Sequence, residues 1–511
     1  MAKTYYITTP IYYPSGKLHI GNTYTTVLCD ALKRYKQLRG YDTFYLTGMD
    51  EHGKKIETVA EERELPPIKH VDEMAKQTRA LWDRLKISYD DFIRTTEKRH
   101  KTVVQKIFER LLKQGDIYLG TYSGYYCMHC ESFFTESQLG EGKTCPDCGR
   151  EVSWLEEESY FLKLSKYEKR LQEFIENNPD FITPESRRNE VLSFIRQGLN
   201  DLSVSRTTFD WGIKVVSNPK HVVYVWIDAL SNYISALGYG TDDDGKFQKY
   251  WNGDEVVHVV GKDILRFHAI FWPIMLMALE IPVTFRLHAH GFYMMKEGKM
   301  SKSKGGVIYP DTLLKHYGLD ELRYYLLREL PYGGDGLFTP ETFVDRINFD
   351  LANDFGNLLN RTITMINKYF DGKISSNTNG STDHDAALEA LMKETPKTFT
   401  ENMETFKVSE AIKGIWKLIS RTNKYIDETT PWILAKDDDK KDELENVLYH
   451  LSDSLRQIGI LLRPILIEAS ESLFKQLGVP EDNQTWQTLY YGAQTSYHVV
   501  HKGTPLFPRL E

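Results

Sequence analysis

The segment Pro-Ser-Gly-Lys-Leu-His-Ile-Gly-Asn, residues 14–22, separates a predicted strand from a predicted helix. The residues before it, 4–9, are all β-branched or aromatic, which is typical of a strand. The residues after it, 24–39, carry apolar side chains at helical spacing. A strand, a glycine-containing turn and a helix start form the arrangement with which parallel α/β sheets bind nucleotides.

Three residues of this turn suit a phosphate group. Gly21 would let a large ligand approach the backbone, and both His19 and Asn22 can donate hydrogen bonds to phosphate oxygens. The alternative is a structural turn with a surface histidine, and the turn alone does not decide between the two.

Composition limits the class of protein. The chain has 511 residues, enough for two to four domains, and its formal net charge is -8, so any surface that binds nucleic acid must be local. No signal-peptide pattern is present, and the longest apolar run, residues 269–279, contains Pro273 and is too short to span a membrane. Four of the five cysteines form one cluster rather than a disulfide framework, so we expect a protein of the cytoplasm or of a comparable reducing compartment.

A second predicted strand, residues 44–47, runs into the sequence Thr-Gly-Met-Asp-Glu-His-Gly, residues 47–53. Alternation of strand and helix indicates a parallel sheet, in which ligands bind at the carboxyl ends of the strands. Asp50 is therefore a candidate binding residue. Its alternative role is the N-cap of the helix predicted over residues 54–64.

The alternation stops between residues 117 and 219, where a cysteine cluster lies. Two Cys-x-x-Cys pairs are separated by fourteen residues, and their members are Cys127, Cys130, Cys145 and Cys148. Four thiolates at this spacing predict one structural zinc ion with no open coordination position. Redox-active pairs and buried thiols are the alternatives.

Strand–helix alternation resumes at residue 220. The predicted strands and the helix between them cover residues 222–229, 255–263, 264–279 and 285–292. Residues 1–116 and 220–340 are thus predicted to be two halves of one parallel-sheet domain, split by the insertion 117–219.

Two further segments complete the chain. Residues 296–306 contain four lysines among glycine and serine, which predicts a mobile, positively charged loop, although a merely solvated loop has the same composition. Apolar residues at helical spacing in residues 341–511 predict a separate helix bundle.

Taken in order, these motifs resemble those of class I aminoacyl-tRNA synthetases, and the sequence is similar over nearly its whole length to the methionyl-tRNA synthetase family. Besides the turn and the cysteine cluster, the matching residues are 10–16, 47–53, 224–229, 261–263, 267–268, 290–291, 299–303, 357–361 and 431–432. The resemblance implies an α/β fold: a Rossmann-like parallel sheet, split by a zinc-knuckle insertion and followed by an all-α helix-bundle domain that binds the anticodon.

The resemblance also implies a reaction. The carboxylate of L-methionine attacks the α-phosphate of ATP, with Mg²⁺, to give methionyl-adenylate and pyrophosphate, and the methionyl group then passes to the 3′-terminal ribose of tRNA(Met). Such a transfer depends on positioning and charge stabilisation. The resemblance gives the catalytic phosphate contacts to His19, Asn22, Lys299 and Lys302. It gives the remaining ATP contacts to Gly21, Gly261, Asp263 and His290.

For methionine, the resemblance pairs Asp50 with the substrate ammonium. It surrounds the thioether with Ile11, Tyr13, Trp226, Leu230, Tyr233, Ile264 and His268. An unbranched, polarizable side chain against aromatic rings is physically reasonable. Without the resemblance, Trp226 and Tyr233 would be interpreted as core residues.

For tRNA, the resemblance gives anticodon binding to Asn357, Arg361 and Trp432. The first two lie four residues apart on one predicted helix and therefore share a face. Amide, guanidinium and indole groups are suited to reading and stacking unpaired bases. The alternative for Trp432 is packing beneath a loop.

The sequence departs from the family pattern in three places. Asn22 stands where the turn usually ends in histidine, and Gly306 replaces an asparagine after the lysine loop. The chain also stops shortly after residues 505–508, without the C-terminal extension that dimerises many relatives, so we expect a monomer.

Two other functions are alternatives: a synthetase for another apolar amino acid and a non-catalytic tRNA-binding paralogue. Relatives specific for leucine, isoleucine or valine carry a much longer insertion. The intact lysine loop, Asp50 and His19 argue against a decayed site.

Overall fold

The computed structural model describes residues 2–128, 132–134, 136–140, 142–146, 148–295, 298–299, 307–377 and 379–510. Its centre is a sheet of six parallel strands in the order β3-β2-β1-β5-β6-β4. These strands are β1 (Thr4–Thr8), β2 (Asp42–Met49), β3 (Asp91–Arg94), β4 (Ile182–Thr183), β5 (Glu255–Gly261) and β6 (Phe285–His290).

The strand order reverses beside β1, because the chain first proceeds to β2 and β3 on one side and later adds β5 and β6 on the other. Sheets of this kind bind ligands at such a reversal point. Four helices accompany the first three strands: Ile20–Leu38, Lys54–Glu62, Pro67–Arg84 and Lys98–Gln114.

One predicted strand is wrong. Residues 222–229 contain only a two-residue strand, Val222–Val223, antiparallel to Ser205–Arg206. The helices Val225–Leu230 and Asn232–Ser235 follow it. A short apolar run suits a buried helix as well as a buried strand, and periodicity does not separate the two.

The segment 117–219 forms mainly an antiparallel sheet of Ile117–Cys127, Ser132–Phe134, Ser153–Leu162 and Leu202–Ser203. The helices Glu168–Asn177 and Glu185–Ile195 accompany it. Strand β4 also belongs to this segment, so the predicted insertion supplies one edge strand of the central sheet.

After β5 the chain forms a 3-10 turn (Lys262–Ile264), a π-helical segment (Phe267–Phe271) and an α-helix (Trp272–Ala278). After β6 a small sheet contains Tyr293–Met295, Gly298–Lys299 and Gly336–Leu337. The helices of this region are Pro310–His316, Leu319–Glu329 and Pro340–Arg346, followed by the π-helical segment Ile347–Gly356.

The C-terminal part is helical, as predicted. Its helices are Asn357–Phe370, Asp385–Glu404, Val408–Thr429, Pro431–Leu434, Lys441–Leu462 and Ile467–Leu477. The sequence did not predict a short antiparallel ladder in this part. It pairs Lys373–Ser375, after the first of these helices, with Ser496–His498, after the last. Other short 3-10 or π segments are Glu136–Gln138, Ser165–Tyr167, Phe247–Trp251, Asp438–Lys440, Glu481–Asn483 and Trp486–Thr488.

The central sheet separates two hydrophobic cores. Alternate side chains of β1 point to opposite faces, so that Tyr5 and Ile7 enter one core while Tyr6 enters the other. The first core continues into the C-terminal helices, and the second continues into the segment 117–219. None of the helices in the described part of the chain combines the length and apolar character needed to cross a lipid bilayer.

A buried ion pair joins the first helix to the helix Leu319–Glu329. Asp30 Oδ2 lies 2.8 Å from an Arg323 nitrogen, and both side chains are fully shielded from water. Asp30 Oδ1 accepts hydrogen bonds from the backbone N–H and the hydroxyl of Ser88. Burial opposes ionisation of Asp30, but Arg323 and Arg34 outweigh it and hold the pKa of this carboxyl below its usual value.

Arg323 also connects the helical domain to the sheet. Its guanidinium donates to the carbonyls of Pro464 and Ile465 in the bundle and to that of Leu85 at the end of a sheet-packing helix. One side chain thus contacts three parts of the chain that are distant in sequence.

We expect Asp30→Ala to lower the free energy of the first urea-induced unfolding transition by about 3–5 kcal/mol, because it leaves a buried guanidinium unpaired. Tryptophan fluorescence would follow the transition. Glu468→Ala is the control, since it breaks a pair with Lys86 that is about half exposed (45% and 54%) and should cost less than about 1 kcal/mol. Equal midpoints for the two variants would contradict the role given to Asp30.

Candidate active site

The turn at residues 14–22, here called the signature turn, leads into the N-terminus of the first helix, Ile20–Leu38. His19 is the N-cap, and its Nδ1 accepts a hydrogen bond of 3.1 Å from the backbone N–H of Gly21. With Nδ1 as acceptor, the neutral imidazole carries its proton on Nε2. The N–H donor is therefore directed away from the cap, at a helix end whose dipole favours anions.

Gly21 lies directly against the histidine ring, so a side chain at this position would force the imidazole to shift. A Cβ at this position would lie 2.9 Å from His19 Cε1 and 3.0 Å from Nδ1, which is closer than carbon atoms tolerate. The glycine thus makes room for the imidazole itself, whereas the sequence suggested room for a ligand.

Asn22 completes a reciprocal cap. Its Oδ1 accepts a hydrogen bond of 3.2 Å from the backbone N–H of His19, which assigns the amide orientation. Among the residues that the structure describes, no hydrogen bond is made by the Asn22 Nδ2 group. That N–H group can therefore donate to a ligand.

The lysine loop ends beside this turn. Lys299 lies in the strand Gly298–Lys299, which pairs with Met294, and the backbone carbonyl of Ile308 accepts a hydrogen bond of 3.0 Å from Ile20. The residue after His19 is thus bonded to the chain that leaves the loop. Lys302 and Gly306 lie outside the described residues.

The predicted adenosine residues lie at the carboxyl ends of β5 and β6. A Cβ on Gly261 would lie 2.6 Å from Asp263 Oδ1, so the glycine lets this carboxylate fold back over the strand end. His290 donates from Nδ1 to the Gly291 carbonyl and accepts at Nε2 from the Thr25 hydroxyl, at 2.7 Å in each case. Burial lowers the pKa of His290, and both its nitrogens are engaged within the protein.

A cavity of about 290 Å³ lies at the carboxyl edge of the sheet. All eight residues predicted for methionine line it, namely Ile11, Tyr13, Asp50, Trp226, Leu230, Tyr233, Ile264 and His268. Asp50 is not the N-cap of the next helix, because that position is Gly53. The backbone N–H of Asp50 instead donates to the Tyr12 carbonyl, which fixes the end of β2 against the segment that follows β1.

The aromatic side of the cavity is uncharged. His268 donates from Nδ1 to the Ile264 carbonyl (2.9 Å), and its Nε2 accepts from the Tyr233 hydroxyl (2.7 Å). Burial lowers the pKa of His268 to about 4 and raises that of Tyr233, so both are neutral near pH 7. Trp226 stacks on Phe267 with ring centroids 3.8 Å apart, which holds the indole at the cavity wall.

A buried carboxylate supports this wall from behind. Asp228 accepts hydrogen bonds of 2.7 Å from His52 Nδ1 and from His100 Nε2. Burial alone would raise its pKa, but the two imidazoles outweigh burial and lower the pKa to about 2. The network ties the helix that carries Trp226 to the strand end that carries Asp50.

Sequence reasoning missed several residues of this site. Lys55 and Asn232 line the cavity, and His52 and Asp228 support it, although no role was predicted for them. His52 and Asp228 lie inside segments that carry the family resemblance, and this position in the sequence could have indicated a role for them. Their pairing across 176 residues had no signal in a single sequence.

Three of the four predicted zinc ligands converge. The sulfur atoms of Cys127, Cys145 and Cys148 all lie within 4.8 Å of one another, and those of Cys127 and Cys148 are 3.6 Å apart. Cys127 and Cys145 are buried, and a tight turn closes after Cys145 through the N–H of Gly149. The cluster is compatible with a structural zinc ion, whose thiolate ligands lie about 2.3 Å from the metal. Cys130 lies outside the described residues.

The predicted anticodon residues lie on the helical domain. Asn357 begins the helix Asn357–Phe370 and is exposed, and Arg361 lies one turn later, 3.5 Å from Asp427 of a neighbouring helix. Trp432 is 42% exposed, which excludes the alternative of packing beneath a loop.

Comparison with known proteins agrees with this geometry. The family model "tRNA synthetases class I (M)" matches residues 5–363, and the model "Anticodon binding domain of methionyl tRNA ligase" matches residues 376–507. The methionine–tRNA ligase of Bacillus subtilis is 57% identical over 520 residues, which cover 99% of this chain and 78% of that protein. The Listeria monocytogenes serotype 4b enzyme is 58% identical over 522 residues, with the same coverage.

Two solved structures of Mycobacterium tuberculosis methionyl-tRNA synthetase are also similar. The complex with methionyl-adenylate has a TM-score of 0.94 and 38% identity, over 99% of this chain and 100% of that chain. The free form has a TM-score of 0.86 and 35% identity, over 100% and 99%. The chain therefore belongs to the methionyl-tRNA synthetase family of class I aminoacyl-tRNA synthetases.

Proposed function

We propose that the cavity holds methionine and that the His19 turn holds the phosphates of ATP. Family membership gives the reaction: methionine is activated with ATP, through the adenylate, and is then joined to tRNA. The observation that carries the residue roles is the single cavity lined by all eight predicted side chains.

In this proposal the substrate ammonium faces Asp50 and the thioether faces the aromatic wall. Asp50 is the one carboxylate among the described lining residues, so the cavity has a charged part and an apolar part. The neutral Tyr233–His268 pair supports an uncharged ligand at the apolar part. An unbranched, polarizable thioether packs well against such rings.

The phosphate oxygens would accept hydrogen bonds from N–H groups at a helix N-terminus. We assign His19 Nε2 and Asn22 Nδ2 as side-chain donors, with Lys299 and Lys302 closing from the lysine loop. Gly261, Asp263 and His290 would surround the adenosine. Asp263 would accept hydrogen bonds from the ribose hydroxyls, and the ring of His290 would position the adenosine. Mg²⁺ would accompany ATP.

Asn22 is expected to support activity with altered transition-state stabilisation. It offers one N–H donor of a reach similar to that of histidine but has no cationic form. Its Oδ1 is engaged by the cap, which supports an outward-facing Nδ2.

Two further assignments belong to the proposal. Cys127, Cys130, Cys145 and Cys148 would hold one structural zinc ion, and Asn357, Arg361 and Trp432 would bind the anticodon. The four-part domain division and the cytoplasmic location stay predictions.

Exchange of labelled pyrophosphate into ATP tests the active site. The parent protein should exchange with methionine and not with leucine or valine. His19→Ala should lower the methionine-dependent rate tenfold or more, about 1.4 kcal/mol of transition-state stabilisation, because a phosphate donor is lost.

His19→Ser separates catalysis from capping, since serine keeps a capping oxygen but not the reach of the imidazole. It should be as slow as His19→Ala, while His501→Ala, at an exposed histidine, should match the parent. A parental rate for His19→Ala would remove the role given to this residue. Exchange with leucine and none with methionine would overturn the substrate assignment.

Trp432→Ala should lower the rate of tRNA aminoacylation about fivefold or more, because stacking of one base on an aromatic ring contributes about 1–3 kcal/mol. Pyrophosphate exchange, which involves no anticodon, should be unchanged. Ile433→Ala, at a neighbouring residue of similar exposure, is the control and should leave both rates unchanged. Equal losses of the two activities in Trp432→Ala would indicate a folding role.

The parent should contain about one zinc ion per chain by elemental analysis, and Cys145→Ser should lose it, because a thiolate ligand is removed. Cys29→Ala, at a buried cysteine of the first helix, should keep the metal. A metal-free parent would retire the zinc assignment.

A further inference from the structure

Lys55 is the cationic side chain of the cavity described above, and the proposed function gives it no role. It lines the cavity together with Asp50, and the other described lining residues include no lysine or arginine. Burial lowers the pKa of His268 and keeps it neutral near pH 7, so the described lining bears one negative and one positive charge. Such a lining matches a ligand that carries one charge of each sign.

Both charged side chains lie beside the segment that follows β1. The backbone N–H of Asp50 donates to the Tyr12 carbonyl at 3.0 Å. Lys55 Nζ lies 6.0 Å from the centre of the Tyr13 ring, and Tyr13 also lines the cavity. The charged part of the cavity therefore contains a cation as well as a carboxylate.

Hydrogen bonds hold the backbone between Asp50 and Lys55 in place. The Trp211 indole N–H donates to the Glu51 carbonyl at 2.6 Å, and the Trp211 carbonyl accepts from the N–H of Gly53 at 3.0 Å. The spacing of the two charged residues is thus set before any ligand arrives. Binding to a site that is already ordered costs less conformational entropy.

A substrate carboxylate near Asp50 calls for a cation. In an α-amino acid the ammonium and carboxylate groups are bonded to the same carbon, so a ligand whose ammonium faces Asp50 brings its own carboxylate close to that residue. Two like charges repel each other more strongly in a cavity than in bulk water. Lys55 would offset this repulsion, and it stands in the first turn of the helix Lys54–Glu62, at the end whose dipole favours anions.

Two other lysines near the carboxyl ends of the strands are engaged elsewhere. Lys54 pairs with Glu57 on its own helix at 2.9 Å and does not line the cavity. Lys262, after β5, pairs with Asp335 at 2.7 Å. Of these three lysines, Lys55 is the one whose side chain reaches the cavity.

We propose that Lys55 binds the carboxylate of the substrate methionine, so that Asp50 and Lys55 together recognise the zwitterionic end of the amino acid. The inference rests on the proposed function, which places the substrate ammonium at Asp50. Lysine donors form strong, charge-assisted hydrogen bonds to carboxylates. Lys55 thereby selects an α-amino acid over an amine with the same side chain, because the amine has no group that Lys55 attracts.

The test compares methionine with methioninol, in which a hydroxymethyl group replaces the carboxylate. The KM for methionine is measured in pyrophosphate exchange, and the Ki of methioninol is measured as a competitive inhibitor of the same reaction. Lys55→Met keeps an unbranched apolar chain but removes the charge. It should raise the KM for methionine about fivefold or more, because a charge-assisted contact is lost.

The Ki of methioninol should stay within about twofold of the parental value in Lys55→Met or fall below it, because the lost lysine attracted no carboxylate and repelled the ammonium of this ligand. Lys55→Arg keeps the positive charge and should hold the KM for methionine within about threefold of the parent. Lys54→Met is the matched control, with the same substitution at the neighbouring position, and should leave both constants unchanged.

Equal increases in the KM for methionine and the Ki of methioninol in Lys55→Met would overturn the inference, because Lys55 would then act on a part that the two ligands share. Parental constants in Lys55→Met would also overturn it. A parental KM with a lowered kcat would do the same and would place Lys55 at the ATP phosphates. Absence of methionine-dependent exchange in the parent protein would instead remove the proposed function, and this inference with it.

Discussion

The buried pair between Asp30 and Arg323 is the contact on which the arrangement of the molecule depends. Asp30 belongs to the helix whose N-terminus carries the signature turn, and Arg323 also binds carbonyls of the C-terminal bundle. Asp320, one turn earlier on the helix of Arg323, accepts hydrogen bonds from Ile467 and Ala469 at the start of a bundle helix. Separating the charges would leave the buried guanidinium of Arg323 without its carboxylate, so the pair opposes movement of the sheet relative to the bundle.

Much of the fold follows from local pattern. The strands at residues 4–9 and 255–263 were predictable from their β-branched and aromatic residues, and the helices of the bundle were predictable because burial of one face imposes a period of 3.6 on their side chains. The error at residues 222–229 arose because a continuous apolar run has no period. The ladder of Lys373–Ser375 with Ser496–His498 was missed because it joins strands of three residues more than a hundred positions apart.

The candidate site was predictable by resemblance rather than by pattern. Periodicity alone would have placed Trp226 and Tyr233 in the core, and both are in fact packed against other rings while they line the cavity. The support of Asp228 by His52 and His100 was beyond the sequence, because a buried carboxylate is recognised by partners that the fold brings together. Position 22 shows the same limit. The sequence shows that this residue is asparagine, but it does not show that its side chain caps the first helix.

The amide at position 22 keeps one of the two side-chain donors of the turn independent of acidity. Histidine would gain a proton near neutral pH and change the charge that it presents to a phosphate. An amide does not titrate in this range, and its oxygen is held by the helix cap. The residue that ends the turn therefore presents the same uncharged N–H donor in acidic and in alkaline media, and a nucleotide contact made through it would not change with protonation of this side chain.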